Sequence, residues 1–262
     1  MKVGIVGYGQ IGRGVVEAIG KGEAGDTELV AILVRDKAKA AAAGASNGLT
    51  DDVAAFLGGD FDLVVELGGH DALRQYAISV LEAGKDLLTL SVGAFADAAF
   101  LESVTAAAKR AGRRVLIPSG AIAGLDMISA AALAPIDSAT HTTRKNPRAF
   151  TPEQLGGQKP DKEAVLLFDG PARQGVGKFP ENVNVAAAVS IAGIGLDRTR
   201  LRVYADPGVE RNTHEVEVRG YFGRVRIEVE NIPSDNPKTG RIVALSVAKA
   251  LRNQSAPFVI GL

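Results

Sequence analysis

Through about residue 120 the chain alternates short apolar runs with amphipathic stretches. Residues 2–6, 28–35, 61–66, 86–91 and 114–118 are rich in Val, Ile and Leu and too short for helices, so they predict strands. Ile11, Val15 and Ile19 recur every four residues and predict a helix opening near Gln10. A second helix is predicted over residues 71–83, with Leu73, Tyr76, Ala77, Val80 and Leu81 inward and Gly84 suited to the left-handed turn that ends it. A third is predicted from Asp97, a capping residue type, to Gly112. Alternating strands and helices, with the strands apolar almost throughout, predict a parallel sheet covered on both faces.

After about residue 135 the pattern changes. Residues 138–145, 163–168, 199–205, 213–221 and 223–232 predict strands. Several alternate apolar with polar positions, as in Val216 and Val218 or Val225, Ile227 and Val229, which predicts a sheet with one solvated face. Residues 144–161 are rich in Pro, Gly and charge and predict a loop, a candidate flap over a site. Ile242, Leu245, Ala248 and Leu251 predict a final helix over residues 238–252, expected to return to the first domain.

The strongest local motif is Gly7-Tyr8-Gly9-Gln10-Ile11-Gly12, between the first predicted strand and the first helix. In that context Gly7 permits a tight turn, Gly9 lets the backbone approach a pyrophosphate, and Gly12 lets helix and strand pack closely. The pyrophosphate is expected on the helix N-terminus, at Gln10 and Ile11, where unpaired N–H groups favour anions. Ser91 begins the turn after another predicted parallel strand, where ligands of such sheets sit. The fold class expected is therefore α/β: a Rossmann-type dinucleotide-binding domain (residues 1–120 and 236–262) plus a second, mixed-sheet α/β domain (residues 121–235). The acid that NAD-specific domains carry at the end of the second strand is displaced here, where the chain reads Val34-Arg35-Asp36. Arg35 is a candidate partner for the 2′-phosphate of NADP, and a one-residue shift would restore Asp36 as a ribose partner, so NAD and NADP are both expected cofactors.

Composition excludes several alternatives. Lys+Arg and Asp+Glu total 30 each, a balance that argues against a nucleic-acid partner. With no Cys there is no disulfide, no thiolate metal ligand and no thiol nucleophile. Three scattered histidines lack zinc spacing, so no metal is expected. The N-terminus enters a strand directly and no uncharged apolar run approaches the roughly 18 residues of a membrane span, so a cytoplasmic protein without a membrane partner is expected.

Several segments then act together. Residues 91–95 (Ser-Val-Gly-Ala-Phe), 118–126 (Pro-Ser-Gly-Ala-Ile-Ala-Gly-Leu-Asp), 182–187 (Asn-Val-Asn-Val-Ala-Ala) and 236–239 (Asn-Pro-Lys-Thr), with Ala205-Asp206-Pro207 shortly before His214, resemble the L-aspartate dehydrogenases over essentially the whole chain. The resemblance implies oxidation of L-aspartate to iminoaspartate with NAD or NADP, a second domain serving substrate binding, catalysis and dimerisation, and a homodimer. By motif match it places Ala121 and Asn184 at cofactor-binding positions and His214 at the catalytic one. Leu67 and Gly240 stand where family members often have Cys and Ser, and neither change removes a nameable chemical role.

Read from the residues alone, His214 suits proton transfer near neutrality, though a surface or structural role explains it too. His70 reads as a helix-start or solvent-facing residue and His141 as a structural strand residue. Arg144, Lys145 and Lys238 are candidate anchors for the two carboxylates of a dicarboxylic amino acid, against the plain alternative of solvated surface charge. Asp206 and Glu215 are candidates to orient His214, or simply turn and strand residues. Fold alone does not separate this enzyme from another NAD(P)-dependent reductase of a small acid, such as a dihydrodipicolinate-reductase-like relative, or from a non-catalytic dinucleotide sensor. A sensor would not need His214 together with the second-domain cations.

Overall fold

The computed structural model describes residues 1–45, 48–179, 183–232 and 240–261. They divide into two compact units, Met1–Gly120 with Val243–Leu262, and Ala121–Ile242.

The first unit runs β1 (Lys2–Val6), α1 (Gln10–Gly20), β2 (Glu28–Leu33), α2 (Lys37–Ala42), β3 (Leu49–Thr50), α3 (Val53–Leu57), β4 (Leu63–Glu66), α4 (His70–Glu82), β5 (Asp86–Thr89), α5 (Ala98–Ala111) and β6 (Val115–Leu116). Its six strands are all parallel, in the order β3-β2-β1-β4-β5-β6. This is the doubly wound Rossmann order, whose direction reverses at β1 and β4. The helix ends follow local chemistry. The Asp97 carboxylate caps α5 by accepting from Phe100 N at 3.2 Å, and Gly112 closes it at φ 63°. β1 fills the run that predicts it, β4 starts late in its own, and β2, β5 and β6 end early because their apolar runs continue into the turns.

The second unit contains α6 (Leu125–Ala131), β7 (Ile136–Lys145), α7 (Pro152–Leu155), β8 (Val165–Pro171), α8 (Ala172–Lys178), α9 (Val183–Ala192), β9 (Arg200–Ala205), β10 (Asn212–Gly220) and β11 (Gly223–Asn231). Its sheet is mixed, in the order β11-β10-β7-β9-β8, with β7 and β9 parallel and the other neighbours antiparallel. On one face Val216 and Val218 pack with Ile128 of α6 and Val189 of α9, while Leu201 and Val203 pack with Ala172, Phe179 and Ala186. The other face is charged, with Arg226 on Glu215, Arg224 on Glu217 and Arg200 on Asp169. The stretch expected to be a loop holds a short 3₁₀ turn, Pro147–Ala149, and the brief α7, whose Thr151 and Gln154 form a reciprocal capping box.

The last helix, α10 (Ile242–Ser255), returns the chain to the first unit. There Val247, Ala248 and Leu251 join Val3, Ile5, Val15, Leu63 and Val65 in one core.

Candidate functional site

In the first unit each glycine of the motif has its own reason to be glycine. Gly7 sits at φ +96°, and a Cβ there would lie 2.7 Å from Gly68 Cα. A Cβ on Gly12 would come within 2.5 Å of the Gly7 carbonyl oxygen, so α1 rests directly on the turn. Around Gly9 the opposite holds: a Cβ would meet nothing within 4 Å. Gly9 is the N-cap of α1, no side chain caps that helix, and its first turn carries no acid. Gln10 and Ile11 open the helix there, half-buried. A helix start with no side-chain cap and clear space beside Gly9 fits a diphosphate.

The neighbouring strand ends are tied together by Glu66, which the sequence reading missed. Glu66 is buried at the end of β4. Its Oε1 accepts from Gly68 N at 2.8 Å and Gly69 N at 2.9 Å, and its Oε2 accepts from Thr89 Oγ1 at 2.6 Å. Thr89 Oγ1 in turn accepts from the backbone N–H of Ser91 at 3.0 Å, which holds the buried Ser91 at the head of the next turn. Burial pushes the Glu66 pKa up, against the pull of these hydrogen bonds. An acid ending an apolar strand before Gly68-Gly69 was the available signal.

Arg35 is exposed just beyond β2. Asp36 caps α2 instead, its Oδ1 accepting from Lys39 N at 2.9 Å.

The second unit carries the polar cluster. Side chains alternate along a strand, so His141, Thr143 and Lys145 of β7 share one face and Arg144 takes the other. Cross-strand register sets His214 of β10 opposite Thr143, with His141 diagonal to it. All four lie on the helix-covered face, in register with Val216 and Val203, and all are buried. His141 Nε2 and His214 Nδ1 meet at 3.2 Å. Burial first, then the Lys145 cation, drives the His141 pKa down to about 3. Burial first, then His141 and Lys145, drives the His214 pKa well below its ordinary 6.5. Both rings are therefore neutral at pH 7. Among the described residues, His141 Nδ1 and Thr143 Oγ1 are buried without a hydrogen-bond partner.

This cluster differs from the sequence expectation in three places. His141, read as a structural strand residue, is the hydrogen-bond partner of His214. Arg144 is not brought to the histidines: it pairs with Asp206 at 3.3 Å and lies over the Tyr204 ring at 4.2 Å on the opposite face. Asp206 and Glu215 do not orient His214. The former takes Arg144 and Gly208 N, and the latter takes Arg226. His70 begins α4, as its position after Gly69 suggests. The Ala121 carbonyl accepts from Asn231 Nδ2 at 3.0 Å, and Asn184 is exposed near the start of α9. Lys238, with the segment 236–239, lies outside the described residues.

A doubly wound sheet with a glycine-rich turn after its first strand, and a mixed-sheet unit bearing a buried histidine pair, give the two-domain architecture of the dinucleotide-binding dehydrogenases. Residues 7–118 match the homoserine dehydrogenase NAD-binding domain family, and residues 126–254 match the family described as aspartate dehydrogenase, C-terminal. An L-aspartate dehydrogenase from Methanosarcina mazei is 40% identical over 273 residues, covering 100% of this chain and 99% of the relative. The chain belongs to the L-aspartate dehydrogenase family. The crystal structure of aspartate dehydrogenase from Thermotoga maritima superposes with a TM-score of 0.82 at 27% identity, covering 100% and 99% of the two chains. A homoserine dehydrogenase from Thiobacillus denitrificans, with a TM-score of 0.64 at 17% identity over 100% of this chain and 76% of its own, shares the fold alone.

Proposed function

We propose that the chain oxidises L-aspartate to iminoaspartate, reducing NAD or NADP and releasing one proton, and that water then converts the imine to oxaloacetate and ammonia. The observation that carries the acid–base part of this reading is His214, buried and held neutral beside Lys145 in a chain of this family. The dinucleotide is assigned to Gly7, Gly9, Gln10, Ile11, Gly12, Arg35 and Ser91 of the first unit, with Ala121 and Asn184 of the second. The open space at Gly9 and the uncapped start of α1 support the diphosphate part of that assignment. When bound, the nicotinamide accepts the hydride that leaves the substrate Cα.

The protein's own work is to manage charge and protons. L-Aspartate arrives as an ammonium ion, and its nitrogen must lose a proton before Cα can give up a hydride. A neutral His214 has a lone pair for that proton, and its low pKa favours handing it on as the imine takes up water. Lys145, on the same face, is the cation best placed to hold a carboxylate, and the Thr143 hydroxyl offers a further hydrogen bond. Arg144 is engaged on the other face and is set aside as an anchor. Lys238 stays a candidate on sequence grounds.

The test follows NAD(P)H absorbance with a panel of substrates. L-Aspartate is expected to support reduction well above alanine, glutamate, malate and D-aspartate. A signal from one of these and none from L-aspartate overturns the proposal. His214→Ala is expected to lose about 10²–10⁴-fold in kcat with cofactor binding intact. Among the described residues no helix is long and apolar enough to cross a membrane. A cytoplasmic homodimer completes the reading, with iminoaspartate that escapes hydrolysis open to use in NAD biosynthesis, and sedimentation equilibrium checks the dimer.

A further inference from the structure

We infer that His141 is a positioning residue for His214: its Nε2 accepts the Nδ1 proton of His214 and so fixes the tautomer whose Nε2 lone pair can take a proton. The inference rests on the acid–base reading of His214.

The 3.2 Å contact leaves one proton between the two nitrogens, and it can belong to either ring. If His141 donates, the Nδ1 of His214 is the acceptor and neutral His214 carries its own proton on Nε2. Such a ring has no lone pair left to act as a base. Were it to gain a second proton, its Nδ1–H would point at another N–H. If His214 donates, its Nε2 lone pair is available. On taking a proton from the substrate ammonium, His214 becomes an imidazolium whose Nδ1–H already has its acceptor. The second arrangement serves both protonation states of His214 with no rearrangement, and the first serves neither.

With Nε2 accepting, the His141 proton sits on the buried Nδ1, which meets no partner among the described residues, so the cost of that unpaired N–H is set against the use of the lone pair on His214. His141 is fully buried on β7, the middle strand, hydrogen-bonded to β10 on one side and β9 on the other. Burial and the Lys145 cation oppose its own protonation. A neutral acceptor also differs from the carboxylate more often found behind a catalytic imidazole. A carboxylate would stabilise the imidazolium strongly and make His214 slow to release its proton. His141 orients the ring without that pull.

The chain has three histidines, His70, His141 and His214, so their side-chain nitrogen NMR signals in the full-length protein can be assigned with one variant of each. At neutral pH His214 is expected to show a protonated Nδ1 and an unprotonated Nε2, and the reverse pattern overturns the inference. Kinetics supplies a second arm. His141→Leu is expected to lose about 10–100-fold in kcat, the range for a lost hydrogen bond to a charged group, with KM for L-aspartate nearly unchanged. His141→Gln, whose amide oxygen reaches the place of Nε2, is expected to recover most of that loss. Wild-type kcat in His141→Leu, or an equal loss in both variants, overturns the inference. His214→Ala keeps the two claims apart. If it retains kcat, the acid–base reading of His214 falls, while the nitrogen spectrum still decides which ring donates.

Discussion

Two single-methyl substitutions in the glycine turn should part company, because the structure gives their methyl groups opposite surroundings. At Gly12 a Cβ would sit 2.5 Å from the Gly7 carbonyl oxygen, a contact between backbone segments that no side-chain rotation relieves. Helix α1 would have to back away by about 1 Å to reach ordinary contact. Overpacking of this kind costs about 1–3 kcal/mol. In a unit of this size that lowers Tm by about 2–4 °C per kcal/mol. The same displacement moves the N–H groups meant for the diphosphate, so Gly12→Ala should lose both stability and cofactor affinity. At Gly9 a Cβ meets nothing within 4 Å, and the backbone, at φ −78° and ψ −163°, is open to alanine. The poorer N-cap and the gain from a stiffer unfolded chain are of similar size and opposite sign, leaving Tm within about 2 °C of wild type. The methyl does, however, fill the space through which a pyrophosphate approaches. Dinucleotide Kd should therefore rise about 10–100-fold, equivalent to 1.4–2.8 kcal/mol. Thermal melts without cofactor and NADH fluorescence titrations measure the two quantities independently. Wild-type Kd in Gly9→Ala, or unchanged Tm in Gly12→Ala, would refute the assignment of this turn.

Three further outcomes are expected. Lys145→Met should raise KM for L-aspartate about 10–100-fold, the size of a charged hydrogen bond, whereas Arg144→Ala should leave it near wild type, and steady-state kinetics of the pair decides between the faces. Acid should destabilise the protein below about pH 6.5. The unfolded chain protonates His141 and His214 there while the folded chain resists, so His141 alone, at about 3 when folded, removes about 2 kcal/mol between pH 6.5 and 5. Denaturant titrations across that range should show the loss, with a shallower slope in His141→Leu. With Asp36 committed to capping α2 and Arg35 exposed beyond β2, NADP should serve at least as well as NAD, and Arg35→Ala should weaken NADP more. A wild-type kcat/KM preference for NAD above about 100-fold would point back to Asp36.

What the sequence made legible was what local pattern encodes. The parallel strands, the helices at Gln10 and Asp97, and the glycine turn are written in runs, periods and capping residues. Helix α9 was not, because Val-Asn-Val-Ala-Ala-Ala-Val-Ser-Ile-Ala has scarcely a polar face to set a period. Its Ala186 and Val189 are buried in two separate apolar clusters, which leaves it apolar nearly all round. The histidine pair lies beyond any local signal. Nothing in His141-Thr142-Thr143 announces that a strand 73 residues later will bring His214 diagonally across from it. Arg144 and Lys145 likewise look interchangeable as neighbours, yet the strand's alternation turns one to the histidines and the other to Tyr204. Those facts are set by register, which depends on which strands pair and not on what either strand contains.

The return of α10 has a consequence for synthesis. Val3, Ile5 and Val15 share a core with Val247, Ala248 and Leu251, which are made well after the whole of the second unit's sheet. The second unit is one unbroken stretch and has its sheet strands before α10 is made. The nucleotide-binding unit must wait, its apolar floor uncovered, until α10 emerges. Until then it holds out sticky surface, and a chain cut before α10 would leave it unfinished.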